Sequence, residues 1–210
     1  MSLRIFNNIS SLNSQRNLGF NGNMLSESLA RVASGLRITK SSDDSASMSI
    51  SAALNSDTRT LKQGAQNLSD GLSMVKVADG GINEISNIIT RMRELAAQAA
   101  SGTIGQNQRD TVQLEFSTLM KEVDRISATS EYNGQKLLDG SLSATDPQEI
   151  VLQIGLNSNQ NNRISLNREM NLTNLSSIGL GISAVTVSTV NQAMNAIQAM
   201  STAVSTLSTI

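Results

Sequence analysis

The 210-residue chain has only 2% aromatic residues, so any core must be built from aliphatic and methionine side chains, as in helical bundles and coiled coils. Its net charge of -1 excludes the strong basic field that attracts nucleic acid or an anionic membrane surface. It has no cysteine and no histidine, so thiolate and imidazole are missing as nucleophile, base and metal ligand. We therefore expect no catalytic site, no cofactor and no metal.

Residues 1–34 place apolar side chains at loosely helical spacing, with Asn, Ser and Gln between them. We expect this arm to become helical when it packs, because Gly19 and Gly22 lower its intrinsic propensity. The positions that would drive the packing are Ile5, Ile9, Leu12, Leu18, Leu25, Leu29 and Val32.

The segment from Gly35 to Asp44 predicts a boundary between two helices. Gly35 stands where a left-handed residue would end the first helix. Asp43 and Asp44 offer carboxylates that can cap the N-terminus of the next one.

The stretch from about residue 42 to about residue 100 predicts one long helix. An apolar row recurs every seventh residue at Leu54, Leu61, Leu68, Val75, Ile82, Ile89 and Ala96. A second row accompanies it at Ala65, Leu72, Ala78, Ile85, Met92 and Ala99. Two apolar positions in seven are typical of a helix that packs against other helices along a narrow seam. At about 1.5 Å per residue the helix would be roughly 80–90 Å long, too long for the rest of the chain to cover.

A second helix is predicted from about residue 107 to about residue 128, antiparallel to the first because the turn between them is short. Its seam is Val112, Phe116, Leu119, Val123 and Ile126. Tyr132-Asn133-Gly134 then indicates a tight turn. Residues 149–154 and 163–166 have strand character and predict a β-hairpin that lies on the helices.

The last helix is predicted from about Val187 onwards, after a glycine-containing connection over residues 176–186. Its expected seam is Val190, Met194, Ile197, Val204 and Leu207. Because this pattern is still in phase at Ile210, we expect the natural helix to continue beyond that residue.

These elements predict a mainly α fold, an elongated antiparallel helical bundle or coiled-coil rod with a small β-hairpin and an N-terminal helical arm. The predicted domains are the arm and the spoke that follows it (1–41), the N-terminal part of the rod (42–175), the connection (176–186) and the start of a C-terminal rod helix (187–210).

Four motifs resemble those of the bacterial flagellin family, in the family's order along the chain. They are Ile5-Phe6-Asn7-Asn8-Ile9-Ser10-Ser11-Leu12-Asn13, the junction from Leu29 to Ile38, Arg91-Met92-Arg93-Glu94-Leu95-Ala96-Ala97-Gln98, and Tyr132-Asn133-Gly134-Gln135-Lys136-Leu137-Leu138. The chain departs from the family in two ways. It has only residues 176–186 where outer domains usually stand, and the sequence to Ile210 does not include the further C-terminal helix that pairs with the N-terminal arm in the family's filament core. It therefore resembles a minimal flagellin.

The resemblance implies a structural subunit of the extracellular flagellar filament, the propeller for swimming. The subunit would be secreted through the flagellar export apparatus and would polymerise with its own copies. Flagellar cap proteins, junction proteins and an export chaperone are further partners implied by the resemblance, whereas nucleic acid and membrane are not. A hook–filament junction protein and a secreted helical effector using the same export route are the alternative functions.

A candidate recognition site is also implied by the resemblance. In some flagellins the positions that match Arg91, Leu95, Gln98 and Glu115 contact the vertebrate Toll-like receptor that senses flagellin, and this chain has all four residue types. The helical spacing predicts that Arg91, Leu95 and Gln98 share one face away from the main seam. Ordinary surface ion pairs and packing between subunits are the alternative explanation for these residues.

Overall fold

The computed structural model describes residues 8–144, 147 and 149–209, and this part of the chain is mainly α-helical. The helices are α1 (Ile9–Ser34), α2 (Ser45–Ala100), α3 (Gln106–Thr129), α4 (Leu166–Met170) and α5 (Val190–Leu207). Two antiparallel strand pairs accompany them, β1 (Glu131–Tyr132) with β2 (Gln135–Lys136) and β3 (Val151–Gln153) with β4 (Arg163–Ser165). The mainly helical class with a β-hairpin is thus confirmed.

The chain divides into two compact units, Met1–Arg59 and Thr60–Ile210. The division falls within α2, so the first unit contains α1 and the beginning of α2, and the second contains all later elements. The four-domain division expected from the sequence stays a prediction.

In the first unit, the boundary between the helices is confirmed. Gly35 ends α1 with φ 65° and donates its backbone N–H to the Val32 carbonyl. Asp44 caps α2 because its Oδ1 accepts the Ser47 backbone N–H at 3.0 Å. Asp43 has another role, since its carboxylate lies 3.5 Å from the guanidinium of Arg31.

In the second unit, α2 and α3 run antiparallel and share one apolar core. Arg91 of α2 pairs with Glu115 of α3 at 3.0 Å, and further along α2 the Ala99 carbonyl accepts from Arg109. Residue numbers therefore fall on α2 as they rise on α3. The fully buried apolar residues of the two helices are Ala78, Ile85, Ile89, Met92, Ala96, Ala99, Phe116 and Val123.

The two strand pairs differ in how they are fixed. The β1–β2 pair turns through Asn133 (φ 51°) and Gly134 (φ 80°), which are the two left-handed residues of the tight hairpin turn expected there. The β3–β4 hairpin occupies the predicted position and lies against α2, where Asn67 donates its side-chain amide to the Gln153 carbonyl at 2.9 Å.

Two glycines of α2 make room for the β3–β4 hairpin. A Cβ on Gly64 would lie 2.4 Å from the Ile154 carbonyl oxygen, and one on Gly71 would lie 2.2 Å from a Leu152 methyl. Both glycines are buried. The hairpin therefore covers the glycine face of α2 in this region.

The buried face of α5 consists mostly of alanines. Along most of the helix it lies about one residue earlier in the sequence than the expected seam. Its buried residues are Ala193, Ala196, Met200, Ala203 and Leu207. The placement of Met194 on the seam was wrong, because its side chain is 56% exposed. The alanines allow close packing of the helix, so the larger neighbouring residue is turned outward.

The connection over residues 176–186 is packed rather than loose. Ser177 is 4% exposed, and Asp124 of α3 accepts both its backbone N–H (2.7 Å) and its hydroxyl (3.0 Å). Leu180 and Ile182 are buried on either side of Gly181, which has φ 69°. Hydrogen bonds and burial hold this segment on the second unit.

Candidate functional site: assembly and recognition surfaces

Helix α1 has no buried residue. Its exposed large apolar side chains, 48–80% accessible, are Ile9, Leu12, Leu18, Phe20, Met24, Leu25, Leu29 and Val32. Ile5, also expected in the self-assembly arm, lies outside the described residues. A water-exposed helix with this many large apolar side chains is typical of one that packs against another surface.

The junction between α1 and α2 is organised by charge. Arg31, in the last turn of α1, contacts Glu27 at 3.1 Å and Asp43 at 3.5 Å. The Ser47 hydroxyl and backbone N–H both donate to the Asp44 carboxylate, and these bonds, with a smaller contribution from Arg37, hold the pKa of Asp44 below its ordinary value. Asp44 therefore stays ionised at the positive end of the helix it caps.

The apolar rows of α2 are covered unequally. From Ala78 to Ala99 the second row is fully buried, and in the first row Ile89 and Ala96 are also buried. Val75 and Ile82 pack at the edge of the core, as does Leu119 of α3, whereas Val112 and Ile126 lie within it. Nearer its N-terminus α2 leaves Leu61, Leu68 and Leu72 between 47% and 56% exposed, and Leu54 of the first unit is 59% exposed. The role of these exposed leucines as a seam stays a prediction.

The candidate receptor site is partly assembled by the structure. The Arg91 guanidinium binds Glu94 at 3.1 Å within its own helix and Glu115 at 3.0 Å on α3, so the expected proximity of Glu115 is observed. These bonds raise the pKa of Arg91, with Glu115 the larger cause. Arg91, Glu94 and Glu115 are each about half exposed or more, and Gln98 is also exposed.

The expectation that Leu95 lies away from the seam was wrong. Its side chain is 2% exposed and belongs to the core that α2 and α3 share. The cause is that the buried surface of α2 is wider than two residues in seven here, since Met92, Leu95 and Ala96 are all covered. Only Arg91, Gln98 and Glu115 of the four residues are available on the surface.

No group of three or more acidic, histidine or cysteine side chains able to hold a metal ion occurs among the described residues. A cavity of about 400 Å³ in the second unit has Asp79 and Glu169 in its wall beside Val75, Ile82 and Leu207.

No helix within the described ranges is long and apolar enough to cross a membrane.

Sequence reasoning assigned no packing role to three positions that shape these surfaces. Gly64 and Gly71 of α2 lie beneath the β3–β4 hairpin and leave room for it. Their spacing of seven residues, which places both on one face, was the available signal. Arg109 was also missed. It is 6% exposed and donates to the carbonyls of Ala99, Ser101 and Ile104 in the α2–α3 turn.

Comparison with protein families gives one match that covers most of the chain. A family described as the bacterial flagellin N-terminal helical region matches residues 5–143. A crystal structure of Bacillus cereus flagellin aligns with a TM-score of 0.55 and 25% identity, over 67% of this chain and 76% of that one.

Curated relatives show the same similarity. Halalkalibacterium halodurans flagellin is 33% identical over 196 residues, which are 93% of this chain and 69% of that protein. Pseudomonas aeruginosa B-type flagellin is 38% identical over 79% of this chain, but only 33% of its own length is matched. A 30.7 kDa flagellar filament core protein of Treponema maltophilum is 33% identical over 76% of this chain and 57% of its own length. The chain thus spans between one third and about two thirds of these relatives.

Proposed function

This chain belongs to the bacterial flagellin family, a family of structural proteins, and we propose that it is the repeating subunit of a flagellar filament. In this role the chain carries out no catalytic step. Copies of the same chain cover one another's exposed helix faces, and the resulting polymer is the extracellular propeller that the flagellar motor turns.

The observation that carries this proposal is the uncovered state of α1. None of its residues is buried, although it exposes eight large apolar side chains. Burying such side chains gains roughly 25 cal/mol for each Å² removed from water, so the arm has a strong tendency to associate. Association with identical arms gives each subunit the same environment, as a helical polymer requires.

Other partners follow from membership of the family. We propose export through the flagellar secretion apparatus with the help of a chaperone, folding at the distal end beneath a cap, and contact with junction proteins at the hook. The hook–filament junction protein and the secreted effector remain the competing functions, and no contact or surface described above favours either of them.

Electron microscopy of the full-length protein after secretion, or after purification and seeding with filament fragments, tests the proposal. We expect long tubes from the wild type and none from a Leu18→Asp, Leu25→Asp double variant, since two carboxylates would be buried in the packed arm. The control is Asn13→Asp with Asn23→Asp, which adds the same charges to α1 without removing an apolar side chain. A wild-type protein that stays monomeric at high concentration contradicts the proposal.

A second role of the same molecule concerns host recognition. We propose that Arg91, Gln98 and Glu115 form a surface that the vertebrate Toll-like receptor for flagellin can contact. The support is that Arg91 and Glu115 come from different helices but are joined at 3.0 Å, so the pair has a defined position on a rigid scaffold. Leu95 supports this surface from beneath.

Reversing the charge of Arg91 will reduce receptor signalling by roughly tenfold or more, because Arg91→Glu would meet Glu94 and Glu115 with a like charge and repel them. Arg93→Glu is the matched control, since Arg93 is also exposed on α2. Signalling is measured in receptor-expressing cells with monomeric protein. Leu95→Asp is unsuitable, because it would place a carboxylate in the core. Equal signalling by wild type and Arg91→Glu removes this role.

A further inference from the structure

The last fifth of the chain contains no ionisable side chain. All 16 Lys and Arg residues and all 17 Asp and Glu residues lie at or before Glu169. The segment from Met170 to Ile210 includes the whole of α5, which is nevertheless a largely exposed helix on one side. A solvated helix face ordinarily carries charged residues, so this absence needs a physical reason.

The uncovered face of α5 is made of amides, hydroxyls and one methionine. Its exposed residues are Asn191, Gln192, Met194, Asn195, Gln198, Thr202, Ser205 and Thr206. Two hydroxyls are already satisfied within the helix. Thr202 donates to the Gln198 carbonyl at 3.1 Å, and Thr206 donates to the Thr202 carbonyl at 3.0 Å. Covering these two hydroxyls would therefore leave neither donor without a partner, whereas the amide side chains of the face need hydrogen bonds from the surface that covers them.

Helix α3 of the same unit shows what a water-facing helix of this protein looks like. Its outer side carries Asp110, Glu115, Lys121, Glu122 and Arg125, and the last two form an ion pair at 2.5 Å. The two helices pack in one unit and have comparable lengths, 24 and 18 residues. Their outer faces thus differ in charge although both helices belong to the same unit.

We propose that the uncharged face of α5, centred on Met194, is a contact surface for a second copy of this chain. The cores of protein interfaces are depleted of charged residues and enriched in methionine, and this face matches that composition. A partner with charged groups would bury them here without a counter-charge, and an anionic lipid surface would find no cation to bind.

A second copy offers a suitable uncharged partner. Leu61, Ala65, Leu68 and Leu72 form an exposed apolar stripe on α2, with spacings of four, three and four residues. Two different faces that meet between copies make a head-to-tail contact, and such contacts extend into open polymers. This inference rests on the proposed filament function and assigns one of its interfaces.

Introducing a charge at the centre of the face tests the inference. Met194→Lys will raise the critical concentration for assembly by about tenfold or more, because a lone ammonium would be buried between two subunits. Met194→Gln keeps the face uncharged, and its critical concentration will stay within about twofold of wild type. Both substitutions keep a good helix former at an exposed position, so the monomer should fold in either case.

The matched control is Leu114→Lys, which makes a similar change at a 69% exposed position on the charged side of α3. The critical concentration is measured by sedimentation, and circular dichroism verifies the fold of each monomer. Wild-type assembly with an unaffected Met194→Lys, or equal effects of Met194→Lys and Leu114→Lys, overturns the α5 interface while leaving the filament function intact. A wild type that never assembles overturns both.

Discussion

Replacing Arg109 with methionine will lower the free energy of unfolding by about 2–3 kcal/mol, although no carboxylate among the described residues pairs with this arginine. Its side chain is 6% exposed, and its guanidinium donates to three backbone carbonyls, Ala99 at 2.9 Å, Ser101 at 3.3 Å and Ile104 at 3.4 Å. The first of these carbonyls belongs to the last turn of α2, where no intrahelical donor is available.

The effect is large because one side chain provides hydrogen-bond donors for three backbone carbonyls of the α2–α3 turn. Methionine preserves most of the volume of arginine but leaves the three carbonyls without this donor. Lysine would restore a charge but not the planar fork, so Arg109→Lys should give an intermediate loss of stability. For a unit of this size the methionine variant should melt roughly 5–10 °C lower than wild type.

Urea unfolding followed by circular dichroism measures this effect. Arg125→Met is the matched control, because Arg125 is 59% exposed and pairs with Glu122 on its own helix. We expect no resolvable change in that variant. If Arg109→Met were as stable as Arg125→Met, the α2–α3 turn would not depend on the buried guanidinium.

Substituting alanine at three glycines of α2 will give effects of different size and opposite sign. Gly64→Ala should destabilise the protein by about 2 kcal/mol or more, because its Cβ would lie 2.4 Å from a backbone carbonyl oxygen that cannot move without displacing the hairpin. Gly71→Ala should cost less, roughly 1 kcal/mol, since the nearest atom is a methyl of the Leu152 side chain. Gly80→Ala should stabilise by about 0.5–1 kcal/mol, since no atom lies within 4 Å of the added Cβ.

Amide hydrogen exchange distinguishes loss of hairpin docking from a general loss of helix. In Gly64→Ala we expect faster exchange in β3 and β4, where local opening releases the hairpin from α2. The β1–β2 pair serves as an internal reference, because the atoms nearest to a Cβ on Gly64 or Gly71 belong to Ile154 and Leu152. A Gly64→Ala protein as stable as Gly80→Ala would contradict the close approach of Ile154 to the helix.

The sequence by itself determined where the long helices begin and end. The seven-residue period placed α2 at about 42–100 and α3 at about 107–128, and the structure has Ser45–Ala100 and Gln106–Thr129. Helix α5 was expected to start at about residue 187, and it starts at Val190. This information is local, because periodicity, caps and turn residues act within a few residues of the chain.

The recognisable motifs also came from the sequence, and with them the family. The prediction that Glu115 lies beside Arg91 required α2 and α3 to be antiparallel. The 3.0 Å contact between the two side chains agrees with that arrangement. It placed Leu95 on the wrong side of α2, since a periodicity of seven identifies the centre of a seam but not its width.

Only the tertiary structure decided which faces of the helices are covered. The hairpin reaches α2 through contacts 86 residues apart along the chain, such as that of Asn67 with Gln153, and it covers the glycines in place of the neighbouring leucines. A glycine in a helix lowers helix propensity, and it also allows another segment of the chain to approach the helix closely. The local sequence does not show which of these two effects is larger at a given glycine. Likewise, the burial of the alanine row of α5 and the hydrogen bonds of Arg109 to the surrounding carbonyls could not be predicted from the local sequence, because both depend on how separate segments pack together.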